Sequence, residues 1–258
     1  MQARVQREQV AHTEHDVLAE NLRIKQRFSH LFTSPSLRRF YARIDSYVHD
    51  IAGRNVLDYG CGRGTTSLTY LGRGALVQGI DLSSVYIASA KKAASEAGIP
   101  TSQYGFHVMD AHDLAFPNET FDLVVGFGIL HHLDPDLALA EIHRVLRPGG
   151  RVLLHEPLAD NPLLKLFRLL TPQARTVDEA PFTGAEVHRL TQTSDWEADL
   201  SFCGLLSTPV AMLTSILLPQ KPDNVLLRWA DAVELWTHRK GFLLSWNQYV
   251  LFNLVKLK

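Results

Sequence analysis

Between Asn55 and Pro157, short apolar runs alternate with segments of helical spacing. The runs are "NVLDY" (55–59), "ALVQGID" (75–81), "YGFHVMD" (104–110), "FDLVVGF" (121–127) and "RVLLHEP" (151–157). Each has the length of a strand. Helices are predicted over 64–72, over 83–97 and from Asp134-Pro135 to Pro148-Gly149-Gly150, with Gly98 and Pro100 closing the second. This regular alternation predicts an α/β fold with a doubly wound, mostly parallel sheet covered by helices.

The flanks follow a looser pattern. Residues 5–28 are polar and helix-favouring, with Val10, Val17, Leu18, Leu22, Ile24 and Phe28 forming an apolar face. Ser34-Pro35 reads as the N-cap and first residue of a second helix, running to about Val48. Thr183 and Glu186 have capping-box spacing at the head of a helix over 183–190. "WEADLSFCG" (196–204) and "FLLSWNQYVLFNLV" (242–255) supply a sixth and a seventh strand, with helical spacing between them. The expected organisation is one domain over 1–258: a helical extension at 1–50, a core at 51–157, and an elaboration at 158–258 with a helical insert at 205–240.

Composition narrows the class. A chain that is 46% apolar and 21% charged is an ordinary globular protein. Lys and Arg total 26 against 27 acids, which gives no electrostatic footprint for nucleic acid. Two cysteines, Cys61 and Cys203, make no disulfide framework and suit a reducing compartment. "MQARVQREQV" lacks the apolar run of a signal peptide, and "LLSTPVAMLTSILL" (205–218) is too short to span a bilayer. A soluble, cytoplasmic protein is expected.

The candidate chemistry begins at "VLDYGCGRG" (56–64), where three glycines alternate after an acid at a strand end. Open α/β sheets bind ligands at that edge, and glycine lets a ligand approach bare backbone. Asp81 ends the second strand, where a carboxylate can accept from both ribose hydroxyls. A nicotinamide dinucleotide would be served equally by these features. Its fingerprint, however, requires glycine at position 65, which is Thr65, and needs neither Asp58 nor Asp110.

With the further stretches "GIDLS" (79–83), "VMDAHDLAF" (108–116), "FDLVVGFGILHHL" (121–133) and "LRPGGRVLLHEP" (146–157), residues 55–157 resemble class I S-adenosylmethionine-dependent methyltransferases. The likeness is to the small-molecule type with a ubiquinone/menaquinone-methyltransferase-like motif set. It implies a seven-stranded Rossmann-like sheet and S-adenosylmethionine as cofactor, with S-adenosylhomocysteine as product. Asp58 and the turn Gly60-Cys61-Gly62 would hold the methionine moiety, Asp81 the ribose, and Leu82 would pack on adenine. Asp110 would accept from the adenine amino group, the Ala111 N–H would donate to a ring nitrogen, and the backbone at Phe127 would close over the methionine. Cys61 reads as a small filler and not as a nucleophile. Carboxylates suit a cofactor that is cationic at sulfur and carries an ammonium.

Methyl transfer is an in-line displacement that depends on alignment and exclusion of water. A base is needed only where the acceptor must lose a proton. His131, His132 and Glu156 are the candidates, each at the ligand edge. His155 reads as a core histidine, and His107, His112 and His143 as structural or exposed. No spacing of Cys, His or carboxylates suggests a metal site. The apolar residues of 205–240, from Leu205 to Trp236, fit either packing on the sheet or a lid over an apolar, aromatic or lipid-like small molecule, with O-methylation favoured. Two other readings are a membrane-borne quinone or lipid acceptor met at the bilayer surface, and a cofactor-binding partner module without catalysis.

Overall fold

The computed structural model describes residue 23, residues 26–170 (side chains to 166) and residues 180–257. The helix expected over 5–28 lies almost wholly outside these residues. The strands are β1 (Asn55–Tyr59), β2 (Leu76–Asp81), β3 (Tyr104–Val108), β4 (Phe121–Phe127), β5 (Leu146–Pro157), β6 (Trp196–Cys203) and β7 (Tyr249–Lys256). They form a seven-stranded sheet in the order β3-β2-β1-β4-β5-β7-β6. β1 to β5 pair in parallel, and β7 runs antiparallel to both of its neighbours.

Helix starts obey local chemistry. α1 (Ser29–Thr33) precedes α2 (Pro35–Tyr47), whose N-cap Ser34 accepts from the Leu37 N–H. α3 (Thr65–Leu71) follows the glycine turn, and α4 (Ser84–Glu96) is capped by Ser83. Asp134 caps α5 (Pro135–Val145), and α6 (Pro162–Leu170) precedes α7 (Gly184–Thr191), where Thr183 and Glu186 form the expected capping box. α8 (Ser207–Leu217) and α9 (Val225–Arg239) make up the insert between β6 and β7.

Alternate strand residues feed opposite cores. Leu57, Tyr59, Val124, Val152, Leu154 and Phe252 face α5 and α7, whereas Val56, Leu123, Val125, Leu153 and Leu251 face Phe40 and Ile44 of α2.

Three boundaries differ from the pattern. β5 begins at Leu146, because the chain pairs with Phe121 there and bulges before Arg151, so Pro148-Gly149-Gly150 lies inside the strand and not at a helix end. β7 begins at Tyr249 and not at Phe242. Asn247 is fully buried and donates to the Leu244 carbonyl at 2.9 Å, which folds 244–246 into a 3-10 turn. β3 stops at Val108, leaving Asp110 in the following turn.

The insert emerges on the ligand edge. Pro157 at the end of β5 and Cys203 at the end of β6 both stand opposite Tyr249, so α8 and α9 leave and return beside the carboxyl ends of the parallel strands. α8 packs on α1 through polar residues: the His30 N–H donates to Ser215 Oγ, and His30 Nδ1 lies 3.0 Å from Thr214 Oγ1. Leu213, Ile216 and Leu217 consequently face outward, as do Trp229 and Trp236 of α9.

Glu234, fully buried, ties these parts together. It accepts from the Gly204 N–H at 2.9 Å, from Ser207 Oγ at 2.7 Å and from Ser36 Oγ of α2. Glu234→Ala strands these donors and is expected to cost about 3 kcal/mol, read as a lower urea midpoint with an unchanged slope. A loss below about 0.5 kcal/mol would show that water replaces the carboxylate.

Candidate functional site

The three glycines of the first turn serve three purposes. All have positive φ, at 77° for Gly60, 52° for Gly62 and 82° for Gly64. A Cβ on Gly60 would stand 2.8 Å from Ile129 Cγ1, so this residue lets the turn meet the segment after β4. A Cβ on Gly64 would meet Ala90 at 2.9 Å, so that glycine packs α3 on α4. Gly62 alone has nothing within 4 Å. Of the three, it offers bare backbone to a ligand.

The strand-end acids are held by backbone and hydroxyl donors. Asp81 Oδ2 accepts from the Gly62 N–H at 3.0 Å, and Oδ1 accepts from the Ser83 N–H at 2.8 Å. Each oxygen keeps a lone pair, which suits a pair of vicinal hydroxyls. The Gly62 N–H is thereby committed to Asp81 and not to a methionine carboxylate. Asp58 is 2% exposed and accepts from Ser67 Oγ at 2.6 Å. Burial pushes its carboxyl up to about 6, the Ser67 bonds oppose that, and the neighbouring charge of Asp81 adds to it. Asp58 therefore braces the glycine turn onto α3 from below, where the resemblance put it near the ammonium.

Packing also fixes Cys61 and Ala111. The Cys61 thiol faces Gly79 and Phe106 in the core under α4, and burial holds it protonated. It fills space, as its size suggests, and only its backbone belongs to the turn: the Cys61 N–H donates to the Ile80 carbonyl. Ala111 is buried, and its carbonyl accepts from Tyr59 Oη at 2.6 Å, which fixes the turn after β3. Leu82 stays half-buried next to Asp81. The Arg63 guanidinium lies over the Tyr86 ring at 4.8 Å.

The candidate bases separate clearly. Glu156 is fully buried, with Oε1 accepting from the Ile129 and Leu130 N–H groups at 3.1 and 2.9 Å. Its Oε2 takes the His131 N–H at 3.3 Å and lies 2.7 Å from His131 Nδ1. A carboxylate so engaged is not open to a substrate. The expectation that Glu156 itself acts as a pocket base gives way to a positioning role, because strand β5 aims the side chain under the turn after β4. That turn, a 3-10 segment over Leu130–His132, carries His131 with its Cε1 edge near Gly128 and His132 tilted against it at 4.1 Å between ring centroids.

His155 points to the other face. It is enclosed by the rings of Phe40, Tyr41, Phe127 and Tyr249, and burial lowers its pKa to about 4. This core histidine is neutral, and no hydrogen bond is found for its Nε2 among the described residues. His107 lies 2.8 Å from Gln78 Oε1, and His143 packs edge-on to Trp196, both structurally placed as expected. His112 is the residue that spacing missed: it contacts Asp110 directly. Among the described residues no three His, Cys, Asp or Glu side chains gather as a metal group, and no helix is long and apolar enough to cross a membrane.

The strand order, with helices on both faces and a glycine turn after β1, is a seven-stranded Rossmann-like α/β fold of the kind found in methyltransferase structures. Residues 57–154 match the family described as "Methyltransferase domain". A ubiquinone biosynthesis O-methyltransferase of Pseudomonas syringae pv. tomato is 36% identical over 124 residues, 47% of this chain and 51% of that protein. The chain thus spans about half the length of the curated relatives it matches. Among solved structures, a 4+2 cyclase superposes with a TM-score of 0.56 at 22% identity, covering 83% of this chain and 80% of that one. A geranyl diphosphate C-methyltransferase from Streptomyces coelicolor, in complex with S-adenosyl-L-homocysteine, superposes with a TM-score of 0.60 at 18% identity, covering 86% and 81%. At these identities the likeness is one of fold.

Proposed function

We propose that the chain transfers the methyl group of S-adenosylmethionine to an apolar or aromatic small molecule, most simply at a hydroxyl oxygen, and that residues 1–258 act as one domain. The observation that carries this reading is the contact of Asp81 with the Gly62 backbone at the end of β2, with Asp110 in the turn after the neighbouring β3 and Asp58 buried at the end of β1. Carboxylates and carbonyls suit a cationic nucleoside, whereas a phosphate ligand would call for a Lys or Arg cradle. The cofactor supplies an activated methyl on a sulfonium centre.

The protein's own residues then have separable tasks. Asp81 holds hydroxyls, Asp110 reads the base, and Gly62 gives clearance. Glu156 lies 2.7 Å from His131 Nδ1 and orients that imidazole, the candidate to take a proton from the acceptor hydroxyl. α8 and α9 leave and return beside the ligand edge, and the apolar character of this insert supports an apolar acceptor.

Calorimetry with S-adenosylhomocysteine and NADH tests the cofactor assignment. Asp81→Ala is expected to weaken S-adenosylhomocysteine binding by about 1–3 kcal/mol, since the ribose loses a charged acceptor and the turn loses its brace. Tight binding of NADH alone would overturn the proposal. Methylation of polar sugars or amino acids, with none of apolar hydroxyl compounds, would overturn the acceptor class.

A further inference from the structure

Asp110 is gripped on one side only. Its Oδ1 accepts the backbone N–H of His112 at 2.9 Å and lies 2.8 Å from His112 Nδ1. Among the described residues, no hydrogen bond is found to Oδ2. The far nitrogen of the same imidazole is fixed as well, because the Asp134 N–H donates to His112 Nε2 at 2.9 Å. A ring nitrogen that accepts carries no proton, so the imidazole is neutral and its single proton sits on Nδ1, directed at Asp110. The His112 side chain is 6% exposed, while that of Asp110, in the turn after β3, is 32% exposed. Tyr59 Oη holds the next carbonyl, that of Ala111, at 2.6 Å.

We infer that His112 is a positioning residue for recognition of the adenine base: it occupies one oxygen of Asp110 so that the other meets the purine amino group. The same ring joins that acid to Asp134, the cap of α5, two residues beyond His132. The inference rests on the proposed reading of the site as one for an adenosine thioether. Its chemical consequence is base discrimination. An adenine amino group donates to the free oxygen, whereas hypoxanthine presents a carbonyl there, and two acceptors repel.

Two substitutions separate the contacts of the imidazole. In His112→Asn the amide nitrogen sits where Nδ1 was and keeps the bond to Asp110, but the side chain stops short of Asp134. In His112→Gln the amide oxygen reaches the Asp134 N–H, and Asp110 Oδ1 keeps only the backbone N–H of residue 112, with no side-chain donor beside it. The readout is the ratio of affinities for S-adenosylhomocysteine and S-inosylhomocysteine, measured by calorimetry, with amide exchange at Asp134 measured in parallel. Wild type and His112→Asn are expected to prefer the adenine compound, and His112→Gln to lose about tenfold of that preference. Asp134 exchange should accelerate in His112→Asn and not in His112→Gln. An unchanged ratio in His112→Gln, or an equal loss in both variants together with a fall in Tm, would overturn the inference. If wild type binds both thioethers equally, Asp110 does not read the base and the inference fails alone. If it binds neither, the proposed function has failed first.

Discussion

Glu156→Gln is expected to leave S-adenosylhomocysteine binding close to wild type while lowering kcat on a hydroxyl acceptor by about 10²–10⁴-fold. The amide oxygen can still receive the Ile129 and Leu130 N–H groups, but an NH2 group now faces His131 Nδ1, which in wild type lies 2.7 Å from the carboxylate. The imidazole must accept there, so its proton moves to Nε2 and the lone pair that would take the acceptor proton is lost. Nitrogen NMR of His131 should report the change of tautomer directly. Glu156→Ala goes further, stranding the buried donors of residues 129–131 at a cost of about 3–5 kcal/mol. If Glu156→Gln changes the tautomer and kcat stays the same, the reaction needs no base and His131 only shapes the turn.

Asp58→Asn is expected to stabilise the protein without ligand at pH 8 and to weaken cofactor binding at the same time. Burial raises this carboxyl from its ordinary value of 3.8 to about 6. The folded state therefore binds the proton more tightly than the unfolded chain does. The group's contribution is fully present below pH 3.8, declines as pH rises towards 6, and is lost above that. An asparagine does not titrate and keeps an acceptor for Ser67 Oγ. Relief of two pKa units corresponds to at most about 3 kcal/mol, so the variant should exceed wild type in urea midpoint at pH 8 and fall level with it near pH 4. Loss of the charge under the glycine turn should cost S-adenosylhomocysteine about tenfold in affinity. Such a trade between stability and binding is what a buried charge kept for a cationic ligand predicts. A variant destabilised equally at both pH values would show that the carboxylate is purely structural.

Much of this site was legible because it depends on local order. Alternating strands and helices place each strand's carboxyl end at one edge, so Asp58, Asp81 and the Gly60–Gly64 turn could be assigned to it from spacing. The readings of Ser34, Asp134 and Thr183 as caps also follow from neighbours within three residues. What spacing could not supply was the direction in which a side chain spends its hydrogen bonds. Gly60 and Gly62 look alike in sequence, yet one packs against Ile129 and the other stands clear. Glu156 and His155 are adjacent, but the pleat of β5 sends one under the His131 turn and the other into a cluster of rings.

The sequence by itself determined the alternating architecture, the ligand edge, the glycine turn and the acids that suit a cationic nucleoside. The tertiary structure decided which polar groups act on one another. Glu156 meets His131 across 25 residues, His112 meets Asp134 across 22, and Glu234 reaches Ser36 across 198. The reason is physical: a carboxylate or imidazole has the same intrinsic chemistry wherever it occurs, and its role is set by burial and by donors that only the folded sheet brings within 3 Å.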